Sequence, residues 1–111
     1  MRRITVVLAN WCPHCVPLSL EILKEISKET QVPLRVLDID DQKQQDEADK
    51  LVKEHGDDCE DYLIPQVFLE DEKGDIKHIF TGFSEAVSIT QARWDDFKAS
   101  KLYQKLRSRS T

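Results

Sequence analysis

The sequence lacks any long hydrophobic run. Its longest apolar block near the N-terminus, residues 6–9, is far shorter than the ~20 apolar residues that cross a bilayer. It is also too short for the core of a signal peptide, and no small-residue cleavage site follows it. We therefore expect a soluble cytoplasmic protein with no membrane partner.

Cysteine and positive charge are also scarce. Three cysteines are too few for a disulfide framework, and the odd number leaves one without a partner. The 16 Lys and Arg residues against 21 Asp and Glu give a net charge of −5. This balance argues against a nucleic-acid partner, because phosphate binding requires clustered Lys and Arg.

The composition is that of one globular domain. Of the 111 residues, 40% are hydrophobic and 33% are charged, which is enough for a single core. The chain shows no internal repeat and no low-complexity segment. We expect one domain over residues 1–107, a short C-terminal tail at 108–111, and a monomer.

Apolar patterning predicts strands and helices in the order β-α-β-α-β-β-α. Short apolar or β-branched runs predict strands at residues 2–9, 33–39, 66–69 and 76–80, the last two forming a hairpin. Apolar residues at three- and four-residue steps predict helices at 13–30, from Asp40 or Asp41 to Gly56, and from Ser88 to about 106. The first two strands, joined through a helix, should be parallel, so we predict an α/β fold with a central four-stranded mixed sheet.

Two local signals refine these helices. Pro17 lies inside the first helix, where its ring clashes with the carbonyl four residues earlier, so we expect a distorted first turn. Ser88 and the residues after it fit the capping-box pattern, which predicts that the last helix begins there.

The segment Trp-Cys-Pro-His-Cys at residues 11–15 follows the first predicted strand and opens the first helix. An Ile-Pro pair at residues 64–65 opens the later hairpin. Together these features resemble the thioredoxin/glutaredoxin superfamily over nearly the whole chain. The short segment before Cys12 is similar to the compact glutaredoxin arrangement. The resemblance implies a thioredoxin-like fold and thiol–disulfide oxidoreductase activity without a cofactor or metal.

Disulfide exchange needs a thiolate, whereas a free cysteine has a pKa of about 8.5. Cys12 is the candidate nucleophile, because unpaired N–H groups and the dipole at a helix start favour the anion. Cys15, one turn deeper, is the candidate resolving thiol that releases a mixed disulfide. Pro13 and His14 would tune the reduction potential, since a protonated His14 stabilises the thiolate. Trp11 is a candidate substrate contact.

Two of these residues have simpler interpretations. His14 could be an exposed side chain without a tuning role, and Trp11 could pack over the helix start.

The resemblance implies further site residues around the later proline. Pro65 is expected to form a cis peptide bond beside the cysteines, and the extended backbone of Ile64 to pair with a substrate peptide. With Gly82, these are the expected substrate-binding residues. The buried Asp and Lys that assist the resolving thiol in thioredoxins correspond here to Val6 and Val36. Cys15 would therefore lack a buried acid–base helper.

The glutathione-binding features of glutaredoxins are replaced in this chain. Where those proteins have a basic residue before the motif and Thr-Val before the proline, this chain has Asn10-Trp11 and Leu63-Ile64. The Gly-Gly-x-x-Asp segment is likewise altered at residues 82–85. The resemblance thus implies protein dithiol/disulfide substrates and an upstream reductase as partners, and argues against glutathione.

Two other classes of function stay open. The first is a zinc or cluster site formed by the cysteine pair, Cys59 and a histidine; a single C-x-x-C pair and Pro13 count against it. The second is a non-enzymatic adaptor, supported by uneven charge: eleven acidic residues against three lysines at 38–61, and five basic residues without an acid at 98–109.

Nearby acids should raise the pKa of Cys59, which predicts a bystander thiol.

Overall fold

The computed structural model describes residues 3–57, 63–82 and 86–109. Its four strands are β1 (Arg3–Leu8), β2 (Leu34–Asp38), β3 (Gln66–Glu70) and β4 (Ile76–Thr81). A helical turn (His14–Ser19) precedes four helices, α1 (Leu20–Thr30), α2 (Gln42–His55), α3 (Val87–Lys98) and α4 (Lys101–Arg109). No helix in this described part of the chain is long and apolar enough to cross a membrane.

The strands form one mixed sheet in the order β2-β1-β3-β4. β1 and β2 are parallel, with Ile4 opposite Leu34, whereas β1 pairs antiparallel with β3 and β3 antiparallel with β4. The prediction of an α/β fold with a four-stranded mixed sheet is therefore confirmed.

β1 forms the buried centre of the molecule. The side chains of Val6 and Val7 point to opposite faces of the sheet, and both are fully inaccessible. A strand buried on both faces must be covered by other elements on each side, which agrees with the continuous apolar run of β1. Because β1 is fixed at the centre of the sheet, the segment that leaves its C-terminal end starts from a rigid support.

The start of α2 is set by Asp41. Its Oδ1 accepts a hydrogen bond of 2.9 Å from the backbone N–H of Lys43, which satisfies one of the free donors of the first turn. Of the two capping residues that the sequence allowed, the structure uses Asp41.

The predicted single helix over residues 13–30 is wrong, because the structure breaks it in two. Val16 has extended backbone angles (φ −130°, ψ 125°), the Val16–Pro17 peptide bond is cis, and α1 begins only at Leu20. The distorted first turn expected at Pro17 is confirmed. Its physical reason is that proline has no N–H to donate and its ring excludes the preceding turn.

The predicted last helix is also two helices. Ser100 separates them: its hydroxyl donates to the carbonyl of Phe97 at the end of α3 (2.6 Å). The same oxygen accepts a 3.3 Å bond from the N–H of Tyr103 in the first turn of α4. α4 continues to Arg109, two residues into the segment predicted as a tail.

The capping box predicted at Ser88 is wrong. α3 begins at Val87, and the residue before it, Ala86, offers no side-chain cap. Ser88 therefore lies inside the first turn rather than in front of it.

Gln66 ties together the two chain segments that flank residues 58–62. Its Oε1 accepts from the N–H of Asp57 (2.9 Å), and its Nε2 donates to the carbonyls of Asp57 (3.2 Å) and Leu63 (2.7 Å). The side chain is fully buried, so these bonds satisfy polar atoms that would otherwise lose water without replacement. Cys59 lies outside the described residues.

Candidate functional site

The backbone after β1 folds back so that Cys12 and Cys15 lie near each other. The N–H of Cys12 donates to the carbonyl of Ala9 (3.2 Å), and the carbonyl of Cys12 accepts from the N–H groups of Cys15 and Val16, both at 3.0 Å. Both cysteines are free thiols, and only 4% of Cys12 and none of Cys15 is exposed. The pair is thus shielded from bulk water at the end of the most buried strand.

The two thiols have different environments. Burial raises the pKa of Cys15 well above its ordinary value; a hydrogen bond with Cys12 and the charge on Cys12 act in the same direction, and a backbone hydrogen bond at Ala9 opposes them. Near neutral pH the protonated form of Cys15 is therefore favoured.

The expected contribution of a long helix dipole to Cys12 needs correction. The helical turn that follows Cys12 has six residues and is broken at Val16, and the regular helix α1 begins at Leu20. The dipole effect falls off within the first turn of a helix, so α1 is too remote to act on Cys12.

His14 is buried, so the exposed position of the simpler interpretation is wrong, whereas a tuning role for this residue stays a prediction. Its Nδ1 lies 2.6 Å from the hydroxyl oxygen of Thr90 in α3. Pro13 is exposed and caps the helical turn. Trp11 is 68% exposed, so most of its aromatic surface is open to solvent next to Cys12 in the chain.

Gly82 lies against Pro65. The Ile64–Pro65 peptide bond is cis, as the resemblance implied, and both residues are buried. The N–H of Gly82 donates to the carbonyl of Pro65 (2.8 Å). A Cβ at position 82 would lie 2.9 Å from both the Pro65 Cγ and the Phe80 ring, closer than such atoms approach, so this position requires glycine.

At the two positions that correspond to the buried Asp and Lys of thioredoxins, this chain has valines. Val6 is fully buried and is paired with Val36 across β1 and β2. Among the described residues, the buried polar side chains are Thr5, His14, Ser19, Thr30, Gln66 and Thr90. None of these six is a carboxylate or a lysine, so Cys15 has no buried helper of that kind within the described ranges.

Sequence reasoning missed three buried residues around His14. Two of them form hydrogen bonds with His14, and the third forms one with Ser19. Thr90 binds its imidazole, Ser19 donates to its carbonyl (2.5 Å), and the indole N–H of Trp94 donates to the Ser19 hydroxyl (2.8 Å). Thr90 and Trp94 are four residues apart and so share one face of α3. The available signal was Thr90 itself, a polar residue on the face of α3 that also carries the buried Trp94 and Phe97.

Within residues 3–57, 63–82 and 86–109, no three His, Cys, Asp or Glu side chains are grouped as metal ligands. The zinc alternative required Cys59, which the structure does not describe, so it stays a hypothesis.

Comparison of the chain with protein-family models, with curated proteins and with solved structures gives no match.

Proposed function

We propose that the chain is a thiol–disulfide oxidoreductase in which Cys12 is the nucleophile and Cys15 the resolving thiol. The observation that carries the proposal is the neighbouring pair of free, buried thiols directly after β1, of which Cys15 has a raised pKa. A thiolate is the attacking species in disulfide exchange, and a second thiol within reach is what releases the product.

We interpret the α/β fold as thioredoxin-like. The sheet order β2-β1-β3-β4, the cysteine pair directly after β1 and the cis proline directly before β3 all support this interpretation.

The reaction begins when the Cys12 thiolate attacks a substrate disulfide. A bond forms between the Cys12 sulfur and one substrate sulfur, and the other substrate sulfur leaves as a thiolate that takes a proton. Cys15 then gives up its proton to solvent and attacks the Cys12 sulfur, and the bond between Cys12 and the substrate sulfur breaks, so that this sulfur leaves as a thiolate and takes up a proton. The Cys12–Cys15 disulfide forms, the substrate leaves as a dithiol, and two electrons have passed to it.

We propose a protein as the substrate. The indole of Trp11 offers exposed apolar surface next to Cys12, which suits contact with a protein chain. Asn10 Nδ2 donates to a carboxylate oxygen of Asp38 at 3.1 Å. The negative charge of Asp38, held beside the motif by Asn10, disfavours the anionic tripeptide glutathione.

A redox titration tests the proposal. A Cys59→Ser variant is used, so that the third thiol does not contribute. It is equilibrated in defined dithiol/disulfide buffers, its free thiols are alkylated, and its mass is measured by mass spectrometry. We expect one two-electron transition between the dithiol and the disulfide. If both cysteines stay alkylated at every potential, the proposed function is wrong.

The midpoint of that transition gives the direction of the reaction. In the cytoplasmic setting that the sequence predicts, the surrounding pools keep dithiols reduced, and the chain would reduce protein disulfides. A midpoint at or below about −220 to −260 mV, the range of the cytosolic glutathione pool, assigns a reductase. A markedly less negative midpoint would indicate that the protein acts as an oxidant or isomerase instead.

The resolving step should accelerate with pH. Burial, the largest cause of the raised pKa of Cys15, persists after Cys12 has entered a mixed disulfide, so the reactive thiolate of Cys15 stays a minor species. Below the pKa of an attacking thiol its thiolate fraction rises about tenfold per pH unit, and we expect the same slope for resolution between pH 6 and 8.

A single turnover with an aromatic disulfide that releases a coloured thiol measures this slope. The first release reports attack by Cys12, and the second reports resolution by Cys15. A second release whose rate is constant from pH 6 to pH 8 contradicts the assignment of Cys15 as the protonated partner.

A further inference from the structure

A carboxylate beside the cysteine segment is held in a fixed position. Asp38 ends β2, and its partner in the strand register is Leu8 at the end of β1. One carboxylate oxygen of Asp38 accepts from Asn10 Nδ2 (3.1 Å), and the other accepts from the N–H of Asp40 (2.9 Å). Asn10 is two residues before Cys12 in the chain. The two bonds therefore keep a negative charge at the edge of the turn that leads to Cys12.

The other chain segments bonded around the cysteines carry no opposing charge. Hydrogen bonds join residues 9–19, which include both cysteines, to residues 38–41 at the end of β2 and to residues 86–92 at the start of α3. A further bond connects residues 86–92 to Gly82, which is bonded to Pro65. None of these stretches contains a lysine or an arginine, and their only Asp or Glu residues lie at 38–41. Histidine aside, the charge that they contribute is therefore of one sign.

The exposed indole of Trp11 favours the same kind of substrate side chain. Trp11 is 68% exposed and lies in the chain between Asn10, which holds the carboxylate, and Cys12. The face of an indole attracts a cation within about 6 Å of its centre. Lysine and arginine also carry an apolar stem, which can cover an aromatic surface while the charged head stays in water. A fixed carboxylate and an exposed indole in one turn thus both match a basic side chain.

We propose that Asp38 is a specificity-determining residue that selects protein disulfides flanked by lysine or arginine; this inference rests on the proposed function. Opposite charges raise the local concentration of a substrate and speed its encounter, whereas like charges slow it. The exchange itself is the one already described: the Cys12 sulfur bonds to one substrate sulfur, and the other leaves as a thiolate. Asp38 acts on the approach of the substrate and takes no part in electron or proton transfer.

Three disulfide-linked peptide dimers of equal length test the proposal, with each peptide cysteine flanked by two lysines, two serines or two glutamates. The parent chain carries Cys15→Ser and Cys59→Ser, so that the mixed disulfide on Cys12 accumulates and its rate of formation is measured by mass spectrometry. Rates are divided by those of a small neutral thiol, which removes differences in the reactivity of the peptides themselves.

Two substitutions in this parent chain remove the same charge at different places. Asp38→Asn keeps the shape of the side chain. Asp75→Asn is the matched control, because Asp75 is exposed and directly precedes β4, at the end of the sheet where β1 begins. The length of β1, about 20 Å for a strand of six residues, separates that end from the cysteine segment.

We expect the parent chain to react faster with the lysine peptide than with the glutamate peptide at an ionic strength of about 0.1 M. Asp38→Asn should reduce this ratio about threefold, the order expected for a unit charge acting through water on the flanking charges. Asp75→Asn should leave it within about 1.3-fold, because charges are screened beyond about 10 Å at this ionic strength. In about 1 M salt the screening length falls to about 3 Å, so the preference of the parent chain should disappear. This last measurement tests the electrostatic origin even if Asp38→Asn does not fold.

The outcomes separate the inference from the proposed function. If the peptides form mixed disulfides but Asp38→Asn changes the ratio no more than Asp75→Asn does, the overall charge of the chain sets the preference and the inference is wrong. Equal rates for the lysine and glutamate peptides, or a preference that persists in about 1 M salt, also overturn it while the proposed function stands. If no peptide forms a mixed disulfide on Cys12, the proposed function fails and the inference fails with it.

Discussion

Replacing Cys12 with serine should reduce disulfide exchange by about a thousandfold or more, whereas replacing Cys15 with serine should trap substrate on Cys12. A serine hydroxyl is not ionised near neutral pH and cannot replace a thiolate, and loss of a catalytic nucleophile commonly removes several orders of magnitude in rate. Without the Cys15 thiol, the mixed disulfide on Cys12 has no neighbouring group to resolve it.

Intact-mass measurements after incubation with a disulfide-bonded protein distinguish the two variants. The Cys15→Ser chain should gain the mass of the substrate, and a reductant should remove it. The Cys12→Ser chain should gain none. Cys59→Ser is the matched control, since it removes a thiol outside the described site and should retain full exchange. An adduct on Cys12→Ser but not on Cys15→Ser would reverse the two roles.

Replacing Trp94 with alanine should lower the free energy of unfolding by about 3–5 kcal/mol, the usual cost of truncating a large buried aromatic side chain. Trp94 is fully inaccessible, stacks on Phe80 with ring centroids 3.9 Å apart, and meets Phe97 edge to face at 5.6 Å. Its indole N–H also donates to Ser19. A domain of this size has about 5–15 kcal/mol in total, so the loss would be a large part of its stability.

Urea denaturation followed by circular dichroism measures this effect. Trp11→Ala is the control, because Trp11 is 68% exposed and the change should alter stability by at most about 0.5 kcal/mol. Trp94→Phe keeps an aromatic ring but loses the N–H, so it should fall between the two. Equal stability of Trp94→Ala and Trp11→Ala would contradict the packing described for α3.

The sheet could be predicted from the sequence because its signals are local. The β-branched run of β1 and the turn before Ile76 depend on neighbouring residues only, and Asp41 carries its own capping oxygen. The interruptions of the helices were harder to predict. Ser100 divides α3 from α4 with two hydrogen bonds, although helix periodicity alone continues across it. Propensity predicts where a helix can form, and side-chain capping decides where it stops.

The candidate site could be predicted only in part. Cys12 and Cys15 were recognisable from their spacing, and Pro65 from the resemblance. Thr90 was not, because its contact with His14 spans 76 positions in the chain and depends on how α3 packs against the helical turn. A short polar residue in an apolar stripe has many uses, and the sequence does not say which one applies.

The bond between His14 and Thr90 has a consequence for anyone who wishes to re-engineer this protein. Positions 13 and 14 are the natural choice for a mutant library, yet a new side chain at position 14 would face a threonine hydroxyl already oriented for an imidazole. Substitutions at contacting positions are not additive, so a residue that looks harmful at 14 could be acceptable with a different partner at 90. The two positions behave as an epistatic pair, and a library should vary them together.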